Sequence, residues 1–133
     1  MAIILDADVV IRAEKGAFDL QAWATGRPTE HFELAAITIA ELWHGVERAT
    51  GMHKIRREQY LRTVMASVPV IAYTEETAYY HARLWAHLQQ AGSMIGYYDI
   101  IVAATALERS SAVATFNVRH FRSIPGLTVI HPV

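Results

Sequence analysis

Short apolar runs alternate with stretches in which apolar residues recur every three or four positions, and this alternation extends along nearly the whole chain. Ala2 to Leu5 is apolar and branched, the pattern of a strand buried on both faces. From Val9 to Lys15 the spacing turns helical, and Gly16 can end that turn. After Phe18 to Ala24, the Gly26-Arg27-Pro28 sequence predicts a loop. A second strand is predicted at Glu33 to Ile37. Thr38 then precedes IAELWHGVERAT with Glu41 three residues on, the spacing of a capping box that would place Glu41 on the first helical turn.

The same reading predicts a helix over His53 to Met65 and a short strand around Val68 to Ala72 that Pro69 weakens. Thr74, with Glu75, Glu76 and Thr77 behind it, opens a long helix that Gly92 ends. After a loop from Gly92 to Gly96, YYDIIVAATALER is helical, and Ser110-Ser111 leads into a strand at Ala112 to Thr115. A helical turn near Val118 to Phe121 and the Pro125-Gly126 break precede a last strand at Leu127 to Ile130. Strand and helix in alternation imply a three-layer α/β/α fold around a central, mostly parallel sheet of about five strands, with residues 1–133 as one domain.

The 133 residues are 53% hydrophobic, enough for a real core. A net charge of -1 gives no global field toward nucleic acid, so any such contact needs a local patch. The absence of cysteine excludes disulfides, thiolate metal sites and cysteine nucleophiles. No basic segment precedes the first apolar run, as a signal peptide would require, and no run approaches the roughly 20 apolar residues of a spanning helix. The expectation is a soluble cytoplasmic protein with no membrane partner.

Three acids change this bland picture. Asp6 ends the first strand, Glu41 begins the helix after the second, and Asp99 begins the helix after the Ile95-Gly96 loop. In a parallel sheet all three fall at the carboxyl ends of strands, where such folds assemble their sites. Convergent carboxylates repel one another unless a cation lies between them. The natural cation is Mg²⁺ or Mn²⁺, which takes oxygen ligands and can activate water against a phosphodiester.

The segments IILDADVVI, ITIAELWHGV, IGYYDIIVAATALE and VATFNVRHFRSIPGLTVI, in this order, resemble the PIN domain, and in particular the toxin ribonucleases of VapBC toxin-antitoxin pairs. The resemblance covers essentially the whole chain. It implies a metal-dependent endoribonuclease, the toxin of a type II toxin-antitoxin system. In it, Asp6, Glu41 and Asp99 match the three principal metal-binding acids. Asn117 falls where many members carry a fourth acid, and His120 where relatives often carry Asp or Glu, which leaves a one-metal site. Asp8 takes a supporting role as cap of the following helix, and Thr38 can hold a ligand or a water beside the pocket. The implied partners are RNA as substrate and a VapB-like antitoxin whose arginine enters the acidic pocket. The implied assembly is a homodimer that forms a heterotetramer or larger with the antitoxin.

Each of these residues also has a plainer explanation. Asp6 alone could be a turn residue, Glu41 a capping-box acid, Asp99 a helix-start acid and Asn117 an Asx turn. The seven histidines include no HExxH, and His81 and His87 lack the spacing of ligands on one helix face, so all read as surface or packing residues. Lys54, Arg56, Arg57 and Arg62 form either a solvated face or a path for RNA phosphates. Trp43, Tyr79, Tyr80 and Trp85 suit a core or a subunit interface. Two other functions compete. One is a haloacid-dehalogenase-like phosphatase with Asp6 as nucleophile and Asp8 as general acid, for which the only lysines are Lys15 and Lys54. The other is a catalytically inactive PIN-fold binding module.

Overall fold

A computed structural model describes residues 1–133. Five strands, β1 (Ala2–Leu5), β2 (His31–Ala35), β3 (Val70–Ile71), β4 (Ala112–Ala114) and β5 (Val129–Ile130), form one sheet in the order β3-β2-β1-β4-β5. Every pairing is parallel, so the sheet is wholly rather than mostly parallel. Seven helices accompany it: α1 (Ala7–Glu14), α2 (Leu20–Thr25), α3 (Ala36–Arg48), α4 (Gly51–Ser67), α5 (Glu75–Ala91), α6 (Tyr97–Arg109) and α7 (Val118–Phe121). None is long and apolar enough to cross a membrane.

Strand alternation sorts the core into two layers. Ile3, Leu5, Leu34, Ala112 and Ala114 face Val9 and Val10 of α1, Leu42 and Val46 of α3 and Leu61 of α4. Ile4, Ala35 and Val113 face Leu84 and Leu88 of α5, Val102, Ala103 and Ala106 of α6, and Phe121 of α7. Glu33 shares this second face. It is nearly buried and holds the Arg109 guanidinium through two contacts, at 2.7 and 3.4 Å.

Helix ends follow local chemistry where a capping side chain exists. Thr74 and Thr77 make a reciprocal capping box at α5, and Gly92 closes that helix in the left-handed region at φ 68°. The start of α3 departs from the sequence reading. β2 begins two residues earlier than predicted and runs straight into the helix, so Ala35 is the N-cap and no side chain caps it. Thr38 is therefore inside the first turn and fully buried, and Glu41 lies on the second turn rather than the first. The burial of β2 and α3 against both core layers fixes this start in place of a capping hydroxyl.

Candidate active site

The strand order places β1 between β2 and β4, with the chain stepping outward one way to β3 and the other way to β5. The carboxyl ends of β1 and β4 thus flank the crevice where parallel sheets bind ligands. Asp6 stands at the end of β1, only 6% exposed. Its Oδ1 accepts the Ala7 N–H at 2.9 Å, making Asp6 itself the cap of α1. Its Oδ2 accepts the Thr115 hydroxyl at 2.8 Å, which joins it to the end of β4.

Asp8 consequently does not cap the helix. Its carboxylate turns across to the loop after β4 and accepts the Phe116 N–H at 3.1 Å. It lies 3.4 and 3.5 Å from Thr115 Oγ1, whose single proton goes to the nearer Asp6. Thr115 in turn accepts the Asn117 N–H at 2.9 Å. One buried hydroxyl thereby fixes the relative position of two acids and an amide.

Asp99 enters from the first turn of α6, where a carboxylate favours the helix dipole. Its Oδ2 lies 2.8 Å from His120 Nδ1, on α7. The Asn117 amide nitrogen is 2.9 Å from the same Nδ1. A ring N–H directed at Asp99 has no lone pair left for an amide donor, so the amide oxygen, not its nitrogen, belongs on the ring side. Asn117 and His120, both exposed, thus form a bracket that steadies Asp99. His120 is a surface histidine, but one whose ring is tied to a site acid.

Glu41 completes the site from α3. Its Oε1 is buried without a hydrogen-bond partner, and so is the Thr38 hydroxyl oxygen one helical turn before it. Burial is the main cause that pushes Glu41 up to about 7, and the charges of Asp6, Asp99 and Asp8 push in the same direction. Asp6 is raised to about 6 by burial and then by Asp8 and Asp99, against the hydrogen bonds from Thr115 and Ala7. Asp8 is also raised, chiefly by burial. Asp6 and Glu41 thus each feel the charges of Asp8 and Asp99, although no three acids or imidazoles stand grouped closely enough to hold a metal as they are. An orphaned buried carboxylate oxygen among like charges suits a hard cation, so the donor set fits a divalent metal.

Residues 3–127 match the family model described as PIN domain. The chain belongs to the PIN domain family. Its relatives include Ribonuclease VapC1 of Rickettsia felis, 28% identical over 98% of this chain and 96% of that one. VapC ribonuclease Y4jK of Sinorhizobium fredii is 30% identical over 98% and 96% of the two chains. Among solved structures, that of DNA-bound VapBC from Salmonella typhimurium superposes with a TM-score of 0.88 at 25% identity, covering 97% and 96%. Membership of the PIN family, and not of the phosphatases, agrees with the geometry. Asp8 is tied by the Phe116 N–H to the loop after β4, and Lys15 is exposed on the far end of α1, away from Asp6.

Sequence reasoning overlooked Thr115. Its signal was its place at the end of an apolar strand, directly before the Phe116-Asn117 pair. The other candidates lie elsewhere. Arg62 is stacked over Trp43 at 5.0 Å and paired with Glu58. Tyr79 and Trp85 are exposed, while Trp43 and Tyr80 are half-buried, so none of the four sits deep in the core.

Proposed function

We propose that this PIN-domain protein is a metal-dependent endoribonuclease, the VapC-type toxin of a type II toxin-antitoxin pair, with Asp6, Glu41 and Asp99 holding one Mg²⁺ or Mn²⁺. The observation that carries the metal reading is the buried, unpartnered Glu41 Oε1 facing Asp6 and Asp99. The ribonuclease reading is supported by VapC relatives aligned over nearly full length. A divalent cation in this pocket supplies charge stabilisation to a phosphodiester under attack and makes water a nucleophile at neutral pH.

The chain's own residues prepare that chemistry. Thr115 and the Ala7 N–H fix both oxygens of Asp6, so its carboxylate keeps one orientation. His120 and Asn117 hold Asp99 from the solvent side, the outer support that orients a ligand and tunes its affinity. Asp8 anchors the backbone after β4 and remains a supporting residue. Glu41 and Asp6 are raised toward neutral pH, so a cation held there would compete with their protons. The substrate is RNA. The partners are a VapB-like antitoxin, whose arginine can pair with the pocket carboxylates when no metal is bound, and a second copy of the chain. Purified protein free of antitoxin is expected to cut RNA in Mg²⁺ or Mn²⁺ and to stop in EDTA. Undiminished cleavage in EDTA, by a preparation free of contaminating ribonuclease, would exclude the metal.

A further inference from the structure

A second polar cavity, of about 300 Å³, opens where α3 ends and α4 begins, lined by Gly45, Arg48, Ala49, His53 and Arg57. It holds two guanidinium groups and an imidazole, and no acid lines it. Glu14 of α1 touches Arg57 from behind, at 3.2 Å from Nε. That contact is an ion pair without an aligned N–H, since Arg57 Nε makes no hydrogen bond. One acid against two arginines leaves the cavity positive.

Its position relates it to the acids. Glu41, Gly45 and Arg48 are spaced four and three residues apart on α3 and so share one helix face. The seven helical steps from Glu41 to Arg48 rise about 10 Å. A single-stranded RNA backbone covers that distance within a couple of nucleotides. Gly45 has a steric reason to lack a side chain, because a Cβ there would stand 2.8 Å from the Arg57 guanidinium. The guanidinium occupies the space that this glycine leaves, with its central carbon and both terminal nitrogens within 3.1 Å of where a Cβ would stand. The neighbouring start of α4 adds to the field, since no side chain caps it and its first turn carries no acid.

We propose that this cavity is a phosphate subsite, in which Arg48, His53 and Arg57 hold a backbone phosphate of the RNA a short distance from the one that is cleaved. The assignment rests on the ribonuclease reading above. Of the basic stretch from His53 to Arg62, it selects Arg57 and His53, which the fold sets in the cavity, and adds Arg48 from the end of α3. It sets aside Arg62, which is occupied by Trp43 and Glu58. The subsite binds substrate and transition state alike, so its loss raises KM more than it lowers kcat.

Arg48→Gln and His53→Gln remove exposed side chains and are expected to leave the melting temperature unchanged. Gly45→Ala displaces the Arg57 guanidinium while leaving every charge in the chain. Steady-state cleavage of a single-stranded RNA in Mg²⁺ by each variant should show KM raised about tenfold for Arg48→Gln, and raised for Gly45→Ala, with kcat largely kept. RNA binding by the uncleaving Asp99→Asn chain should lose about 0.7 from its log–log salt slope when Arg48→Gln is added. If wild type cleaves RNA but KM and salt slope are the same in Arg48→Gln, His53→Gln and Gly45→Ala, the subsite is wrong and the ribonuclease reading stands. If wild type neither binds nor cleaves RNA, both fall together.

Discussion

The chain buries acids in two places and treats them differently. Glu33, on the inner face of β2, is met by the Arg109 fork at 2.7 Å. Asp6 and Glu41, at the carboxyl ends of the strands, are met by each other, by Asp8 and by Asp99, and no basic side chain is among the causes that shift either one. The same sheet therefore supplies a cation to one buried carboxylate and withholds it from a group of them. An acid neutralised from within the chain serves the fold. In the proposed function, acids left for a cation from outside serve a reaction.

The comparison is broken most sharply at the acids themselves. Asp99→Asn and Asp6→Asn should each lower RNA cleavage on the order of 10³-fold, the scale of losing several kcal/mol of transition-state stabilisation, as read in single-turnover assays. Arg109→Met should leave cleavage intact and destabilise the fold by about 1–3 kcal/mol in urea titrations, because Glu33 is then buried without its partner and water reaches it only in part. If Arg109→Met is neutral, the ion pair is ornamental and the contrast between the two sites disappears.

Acidification sharpens the same contrast. Unfolded, Asp6 and Glu41 titrate near 3.8 and 4.5, and folded they titrate near 6 and 7. Between these values the folded chain holds more protons than the unfolded one, so stability in EDTA should fall as pH rises from about 4 to about 7. The expected change is on the order of 1–3 kcal/mol, with the share of Glu41 reduced by its partial exposure. Glu41→Gln should flatten the profile and stabilise the metal-free protein by about 0.5–2 kcal/mol at neutral pH. Mg²⁺ should raise the melting temperature of wild type by preferential binding to the folded state, and Asp99→Asn should show little of that rise. Equal Mg²⁺ shifts in the two proteins would remove Asp99 from the site. The smallest effect belongs to His120→Ala, which should weaken Mg²⁺ affinity about 10-fold through a loosened Asp99, read by calorimetry.

The alternation of apolar runs made the layer order legible before any coordinates, since strand and helix periods differ and each repeat here is short and well punctuated. The acids were legible as a group only because three of them fell at strand ends in a recognisable frame. What could not be read was the local wiring. Asp6 and Asp8 are two residues apart, and nothing in their sequence says that the first caps α1 and the second reaches across to Phe116. That depends on the neighbour that β1 acquires more than a hundred residues later, in β4. Thr38 misled for a related reason. Its hydroxyl and the acid three positions on satisfy the capping-box pattern, but tertiary burial of β2 and α3 sets where the helix starts. His120 was set aside with the other histidines because a contact from α7 to α6 leaves no periodic trace.

The absence of a linker between β2 and α3 has a dynamic consequence. Glu41 rides on a helix that continues a buried strand, so its backbone is tied to the sheet, and amide protons near it should exchange only through rare, large-scale unfolding. The bracket on the other side is a four-residue helix whose residues other than Phe121 are wholly or partly open to water. Its amides should exchange by local fraying, orders of magnitude faster. The pocket is thus rigid on the α3 side and compliant on the α7 side, where Asn117 and His120 stand.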